Sequence, residues 1–262
     1  MNDVWENMKD ANGNSYVYAF KNNLGSHASD VSIKIEEKSR PTSDQSNAAT
    51  KWTINKFAGG NLWGWSKLAE AERGASVDCS GYDAAVFEIN NTTGQSLYLN
   101  PRYGYFNESG AAVDSLTGQQ YALVGEDGSV SVTTDYQIPA DFKGKAYMFF
   151  KYFENDFVSN LSRVRNDFRM VIGIDDNNNG KTFELSNYRF TKTGVEQYKQ
   201  DLINSLDIQR AKYDDSNYSV TGVLKLDEIL TNGKQELNDC NEVENVGGIY
   251  NNAVKAMKNV NT

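Results

Sequence analysis

Histidine and cysteine are almost missing from this chain, which has one His (His27) and two Cys (Cys79 and Cys240) in 262 residues. Catalysis by a histidine base, an activated thiolate or a His/Cys zinc centre needs several such groups together, so that chemistry is not expected. His27, in Gly25-Ser26-His27-Ala28-Ser29, reads as a solvated loop residue. Cys79 and Cys240 read as two reduced thiols; a bridge between domains is the alternative in a secreted protein. No apolar run reaches the roughly 18 residues of a membrane span. The start, Met1-Asn2-Asp3-Val4-Trp5, has neither the basic nor the apolar segment of a signal peptide. A fragment of a larger secreted protein would look like this, and so would a cytosolic one. Basic clusters are lacking too. A net charge of −9 repels phosphate backbones and anionic membranes, so neither nucleic acid nor a membrane is expected as partner. Neutral polymers are left open.

What is present is a folding composition, with 39% hydrophobic and 23% charged residues. Fifteen Tyr, 12 Phe and 4 Trp stand among many Asn, Ser, Thr and Gly. Such a mixture resembles that of all-β proteins that read uncharged polar ligands. From about residue 14 to 192 apolar residues alternate with polar ones: Val31, Ile33 and Ile35, then Phe87 and Ile89, then Phe168, Met170, Ile172 and Ile174. Period-two runs closed by turns such as Asn91-Thr92-Thr93-Gly94 predict an antiparallel β-sandwich of jelly-roll type. Phe183 and Leu185 are out of step with Tyr188 and Phe190, which a bulge at Ser186-Asn187 would reconcile. Lys145 to Phe153 is apolar on both faces, so a central strand covered on its outer side is expected there. After Gly194 the period changes to the helical one. Val195, Tyr198, Leu202 and Leu206, then Val223, Leu226, Leu230 and Leu237, then Val243, Val246, Tyr250, Ala253 and Met257 predict a three-helix bundle. The expected domains are therefore 1–193 and 194–262.

The candidate site is aromatic. In Gly59-Gly60-Asn61-Leu62-Trp63-Gly64-Trp65-Ser66-Lys67 an extended backbone puts Trp63 and Trp65 on one side, roughly 6.5–7 Å apart. That is the spacing of neighbouring sugar rings, whose C–H faces stack on indole while Asn61 and Lys67 can meet hydroxyls at the rim. The competing use is one Trp in the core and the other at its edge. Tyr103 and Tyr105 repeat the aromatic–Gly–aromatic spacing and are a second candidate platform, although strand tyrosines also serve simply to pack. Trp52 alternates with Ile54 and reads as core, and Trp5 as docking near a free end. Asp175, Asn177 and Asn179, followed by Gly180, match the first half of a calcium loop, but the twelfth position is Ser186 rather than Glu. An Asx-rich turn explains them equally well, so no cofactor is expected. Glu88 and Glu154 are the best carboxylates for a glycan hydrolase, and each reads more simply as a solvent-facing polar residue.

Three stretches carry a resemblance: Ala84 to Leu99, Ile138-Pro139-Ala140-Asp141-Phe142-Lys143-Gly144-Lys145-Ala146-Tyr147, and Phe183 to Phe190. Over most of residues 50–192 they resemble strand pairs of β-sandwich carbohydrate-binding modules. The tail from Gly194 is similar to three-helix FIVAR-type modules of large surface proteins of Gram-positive gut bacteria. Together they resemble starch-adherence proteins of amylosome type. The resemblance implies non-catalytic binding of extracellular polysaccharide, α-glucan first, by part of a larger multidomain protein at the cell surface. An adhesion module that contacts protein, or a jelly-roll hydrolase or lyase, are the alternative readings.

Overall fold

The computed structural model describes residues 15–16, 31–36, 49–54, 61–67, 74–114, 120–173 and 180–261. For residues 15–67, and for Arg169 and Met170, the backbone alone is described. In chain order the strands begin with β1 (Ser15–Tyr16), β2 (Val31–Glu36), β3 (Ala49–Ile54), β4 (Asn61–Lys67), β5 (Ser76–Val77), β6 (Ala84–Asn91), β7 (Leu97–Arg102) and β8 (Gly104–Phe106). They continue with β9 (Ala112–Asp114), β10 (Tyr121–Gly125), β11 (Val130–Thr133), β12 (Gln137–Ile138) and β13 (Lys143–Phe149). A short helix α1 (Asn155–Val158), then β14 (Val164–Arg165), β15 (Asp167–Gly173) and β16 (Thr182–Thr191) follow, and α2 (Gly194–Arg210), α3 (Val220–Asp239) and α4 (Val243–Lys258) close the chain.

The chain divides into two compact units, 1–121 with 133–194, and 122–132 with 195–262. In the first, the larger sheet runs β13–β6–β16–β3–β2, with β1 on the β16 ladder. A second sheet runs β12–β7–β15–β4, and a small third one β5–β14–β8–β9. Their described pairings are antiparallel, as the alternating sequence demands. Phe87 and Ile89 of β6, Phe183 and Leu185 of β16, and Ala146 and Met148 of β13 are buried on one face of the larger sheet. Leu97 and Leu99 of β7 and Phe168 and Ile172 of β15 are buried on the second sheet. Phe168 stacks on Tyr188 at 5.4 Å between ring centroids, which joins the two layers. The fold is a mainly antiparallel β-sandwich followed by three long helices.

Local chemistry explains the register. The β16 pairing slips between Ser186 and Arg189, and Asn187 takes φ +51°. The extra residue returns Tyr188 and Phe190 to the buried side already held by Phe183 and Leu185. Asn91 is wholly buried and ties three segments together. Its Nδ2 donates to the carbonyls of Gln95 and Pro139, each at 2.8 Å, and its Oδ1 accepts from Thr93 Oγ1 at 2.7 Å. The β6–β7 turn and the Ile138-Pro139 approach to β13 are thereby fixed to one another. β13 is buried on both faces, as expected from its sequence. It ends at Phe149, however, and Phe150–Tyr152 form a 3-10 turn. The turn and α1 then bring Phe150, Phe153 and Phe157 into one cluster, with Phe150 and Phe153 centroids 4.9 Å apart.

Gly194 closes the first unit. A Cβ there would lie 2.4 Å from the Cβ of Ala84, and the Gly194 N–H donates to Asp83 Oδ1 at 2.8 Å. Only glycine fits so close an approach.

The second unit packs Tyr198, Leu202, Leu206, Leu226, Leu237, Val246, Tyr250 and Met257 together. Ser219 caps α3 by accepting from the Gly222 N–H at 3.1 Å. The hairpin 122–132 belongs to this unit, a difference from the expected division at residue 194. The cause is hydrogen bonding. The Gly128 carbonyl accepts from Gln209 Nε2 at 2.7 Å and from the Tyr250 hydroxyl, and the Asp127 carbonyl accepts from Lys212 Nζ at 2.9 Å.

Candidate functional site

The site is best built from β7. In Leu97-Tyr98-Leu99-Asn100-Pro101-Arg102 the apolar residues are sealed, Leu97 and Leu99 at 0% exposure, while Tyr98 and Arg102 are half-buried. On β15 Phe168 and Ile172 are likewise sealed and Val171 and Gly173 half-buried. One face of this sheet is therefore core and the other carries polar and aromatic groups.

Register extends that second face to β4. Val171 pairs with both Asn100 and Trp63, and Arg169 with both Arg102 and Trp65; Gly173 pairs with Asn61 and Asp167 with Lys67. Directly opposed residues of an antiparallel ladder share a face. Positions 61, 63, 65 and 67 thus fall on the same face as Tyr98, Asn100 and Arg102, opposite Leu97, Leu99, Phe168 and Ile172. Of the sequence-predicted site residues, the backbone brings together Asn61, Trp63, Trp65 and Lys67; their side chains lie outside the described residues.

The described side chains have a definite polar pattern. Asn100 Nδ2 donates to the Tyr98 hydroxyl at 2.9 Å, so the Tyr98 oxygen already accepts and its own proton is left to donate. Tyr98 meets Tyr136 edge-on at 5.8 Å, and Tyr136 meets Tyr121 edge-on at 6.0 Å. A Cβ on Gly173 would lie 2.8 Å from the Cβ of Tyr98, so glycine makes room for that side chain. Gln137 pairs with Tyr98 across β12, and its Oε1 accepts from Ser96 Oγ at 2.7 Å. The Asp167 carboxylate accepts from Arg165 Nε at 3.1 Å and Nη2 at 3.0 Å, while Arg165 Nη1 reaches Asp114 at 3.0 Å. Arg102 differs: its Nε is buried and has no hydrogen-bond partner. Taken together the described polar side chains of β7 and β15 on the face are the half-buried Tyr98 and Arg102 beside the buried Asn100 and Asp167.

Tyr103 and Tyr105 are a correction. Tyr103 is 1% exposed and Tyr105 6%, so neither ring offers a face to a ligand. Tyr103 sits among Phe168 and Phe190, each at 5.0 Å, with Phe157 at 6.1 Å and Phe153 at 6.2 Å. Its hydroxyl bonds that of Tyr188, and burial pushes both hydroxyls well above the ordinary phenol range. Tyr105 belongs to a different sheet, opposite Val164 and Val113. Gly104 between them serves close packing, since a Cβ would lie 2.8 Å from the Val113 carbonyl oxygen.

The signal that was missed is the plain alternation of β7. Tyr98, Asn100 and Arg102 stand at every second position between residues of the core, and a polar face with an aromatic in it was legible there. The loop with Asp175, Asn177 and Asn179 lies outside the described residues, as do His27 and Trp5. No group of three or more His, Cys, Asp or Glu that could hold a metal occurs among the described residues. Cys79 and Cys240 are free thiols; burial, then the charge of Asp78, push the Cys79 thiol up to about 12. Glu88 accepts from Asn187 Nδ2 at 2.9 Å and Ser186 Oγ at 3.2 Å, which makes it a brace for the bulge. Glu154 is exposed just before α1.

The fold defines an antiparallel β-sandwich protein with a helical second unit. No protein-family model matches the chain, and no curated protein matches it in sequence. Among solved structures it is similar to a family 11 carbohydrate-binding module of a cellulosomal cellulase of Clostridium thermocellum, at 15% identity and TM-score 0.34, covering 62% of this chain and 81% of that one. It is also similar to a family 30 module of another Clostridium thermocellum cellulosomal cellulase, at 11% identity and TM-score 0.35, covering 70% and 91%. A third is a carbohydrate-binding module specific for non-crystalline cellulose, at 10% identity and TM-score 0.34, covering 61% and 80%. At such TM-scores no residue and no ligand is carried over from them.

Proposed function

We propose that this chain binds polysaccharide without acting on it, using the face of the β12–β7–β15–β4 sheet. The observation that supports this reading is the shared face. Four positions singled out for sugar stacking (61, 63, 65 and 67) fall by register on the same face of the sheet as Tyr98, Asn100, Arg102 and Val171. Stacking of rings on sugar C–H faces supplies affinity, and the donors beside them set the orientation of the chain. Starch-like α-glucan is the ligand that the sequence resemblance names, in an extracellular or cell-surface setting within a larger protein. Affinity on such a face is modest, so neighbouring domains of that protein would contribute through avidity.

The test is a native gel cast with amylopectin, xylan, mannan or β-glucan, run against one without glycan. Retardation by amylopectin supports the α-glucan reading, retardation by another polymer reassigns the ligand, and none by any glycan overturns the proposal. Trp63→Ala is expected to weaken binding by about 1–3 kcal/mol without lowering the melting temperature. Protein contact is a second reading, favoured by Val220 and Leu224 on α3, which are 79% and 65% exposed. That surface belongs to the second unit, and replacing both residues with Ser would leave gel retardation unchanged.

A further inference from the structure

Arg102 carries an unmet demand. Its Nε is buried and unpartnered, a state that an ionised donor tolerates only where something else supplies an acceptor. A guanidinium has donors alone, held in a planar fork. Among the described residues of this face, the one carboxylate is that of Asp167, and Arg165 already binds it twice. The register also sets position 169 directly opposite Arg102. Its neighbours on the same face are Asn100 on its own strand and, across β15, the position of Trp65.

We infer that Arg102 is the orienting residue of the site, donating through its fork to two adjacent hydroxyl oxygens of one sugar ring. This rests on the glycan-binding reading and deepens it. Two neighbouring ring hydroxyls present acceptor oxygens at a separation that a guanidinium edge can span, and their own protons remain free to donate to water. A carboxylate would fit the fork equally well, but a chain of net charge −9 disfavours a polyanion. The ligand class follows: glycans linked through positions 4 or 6, which leave hydroxyls 2 and 3 unsubstituted. A glucan joined through position 3 has lost one of the pair.

Site-selective ethers of the neutral hexose polymer that retards the chain most give the test. A 6-O-methyl ether is expected to bind nearly as well as the parent, and a 2,3-di-O-methyl ether at least tenfold more weakly. Arg102→Met should lose about tenfold in affinity for the parent and bind the two ethers alike. Arg102→Lys, which keeps the charge without the fork, should recover only a small part. Unchanged thermal melts of both variants separate this effect from misfolding. Equal binding of both ethers by the unmodified chain overturns the inference while the glycan reading stands. Arg102-dependent binding of polygalacturonate stronger than that of any neutral polymer overturns it in favour of a carboxylate. Retardation by no glycan overturns both.

Discussion

The chain contains two aromatic–glycine–aromatic triplets of identical spacing, Trp63-Gly64-Trp65 and Tyr103-Gly104-Tyr105, and the fold uses them differently. The first lies within a single strand whose odd positions share the polar face of a sheet. The second straddles a break between two strands, so Tyr103 falls into the aromatic core while Tyr105 pairs in another sheet. Spacing within a triplet says which residues share a side only if one strand carries them all. What sets the two triplets apart is the alternation of the surrounding strand. Leu97 and Leu99 on β7, and Phe168 and Ile172 on β15, declare which side is inside.

The contrast can be broken from the core side first. Tyr103→Ala removes a ring packed against four others and deletes the hydrogen bond between the Tyr103 and Tyr188 hydroxyls. A loss of about 3–5 kcal/mol in denaturant unfolding is expected. A fully folded Tyr103→Ala variant that has lost only glycan retardation would instead return Tyr103 to the site. A smaller effect is expected from Gly173→Ala. The new Cβ must displace Tyr98, lowering stability by about 1–3 kcal/mol and weakening glycan retardation, whereas the same change at Gly110, which has open space but φ +77°, should affect stability alone.

The smallest effect concerns the second unit. Burial pushes the Tyr250 hydroxyl up to about 12, a shift partly opposed by its hydrogen bond with Gln209. An unfolded tyrosine ionises near pH ~10, so the unfolded chain releases this proton first. Stability from this group is therefore complete below about pH 10 and drains away as pH rises to about 12. Helical circular dichroism during alkaline titration should show that decline, and Tyr250→Phe should flatten its share of it. An identical alkaline curve for Tyr250→Phe would deny the group any role.

Much of the architecture was readable from residues alone. The switch from period two to helical period at Gly194 marks where α2 begins, and the phase slip in Phe183 to Phe190 marks the bulge, because both are properties of the local backbone. The aromatic run from Phe149 to Phe157 was less legible. It alternates like a strand as far as Phe149 and then turns, with apolarity unchanged while the geometry is not. The polar side of β7 is legible as an alternation, Tyr98, Asn100 and Arg102 between Leu97, Leu99 and Pro101, although its residue types alone do not mark it as a site. Arg102 needed coordinates, since an unmet donor is a fact about its neighbours.

The hairpin 122–132 has a consequence for cutting and grafting. Because Gln209, Lys212 and Tyr250 donate to carbonyls of Asp127 and Gly128, the helices are not a detachable cassette. Severing the chain once at residue 194 would strip those donors of their acceptors. On a ribosome the hairpin also emerges well before the helices that complete its bonding, so this unit can finish only once α4 has been made.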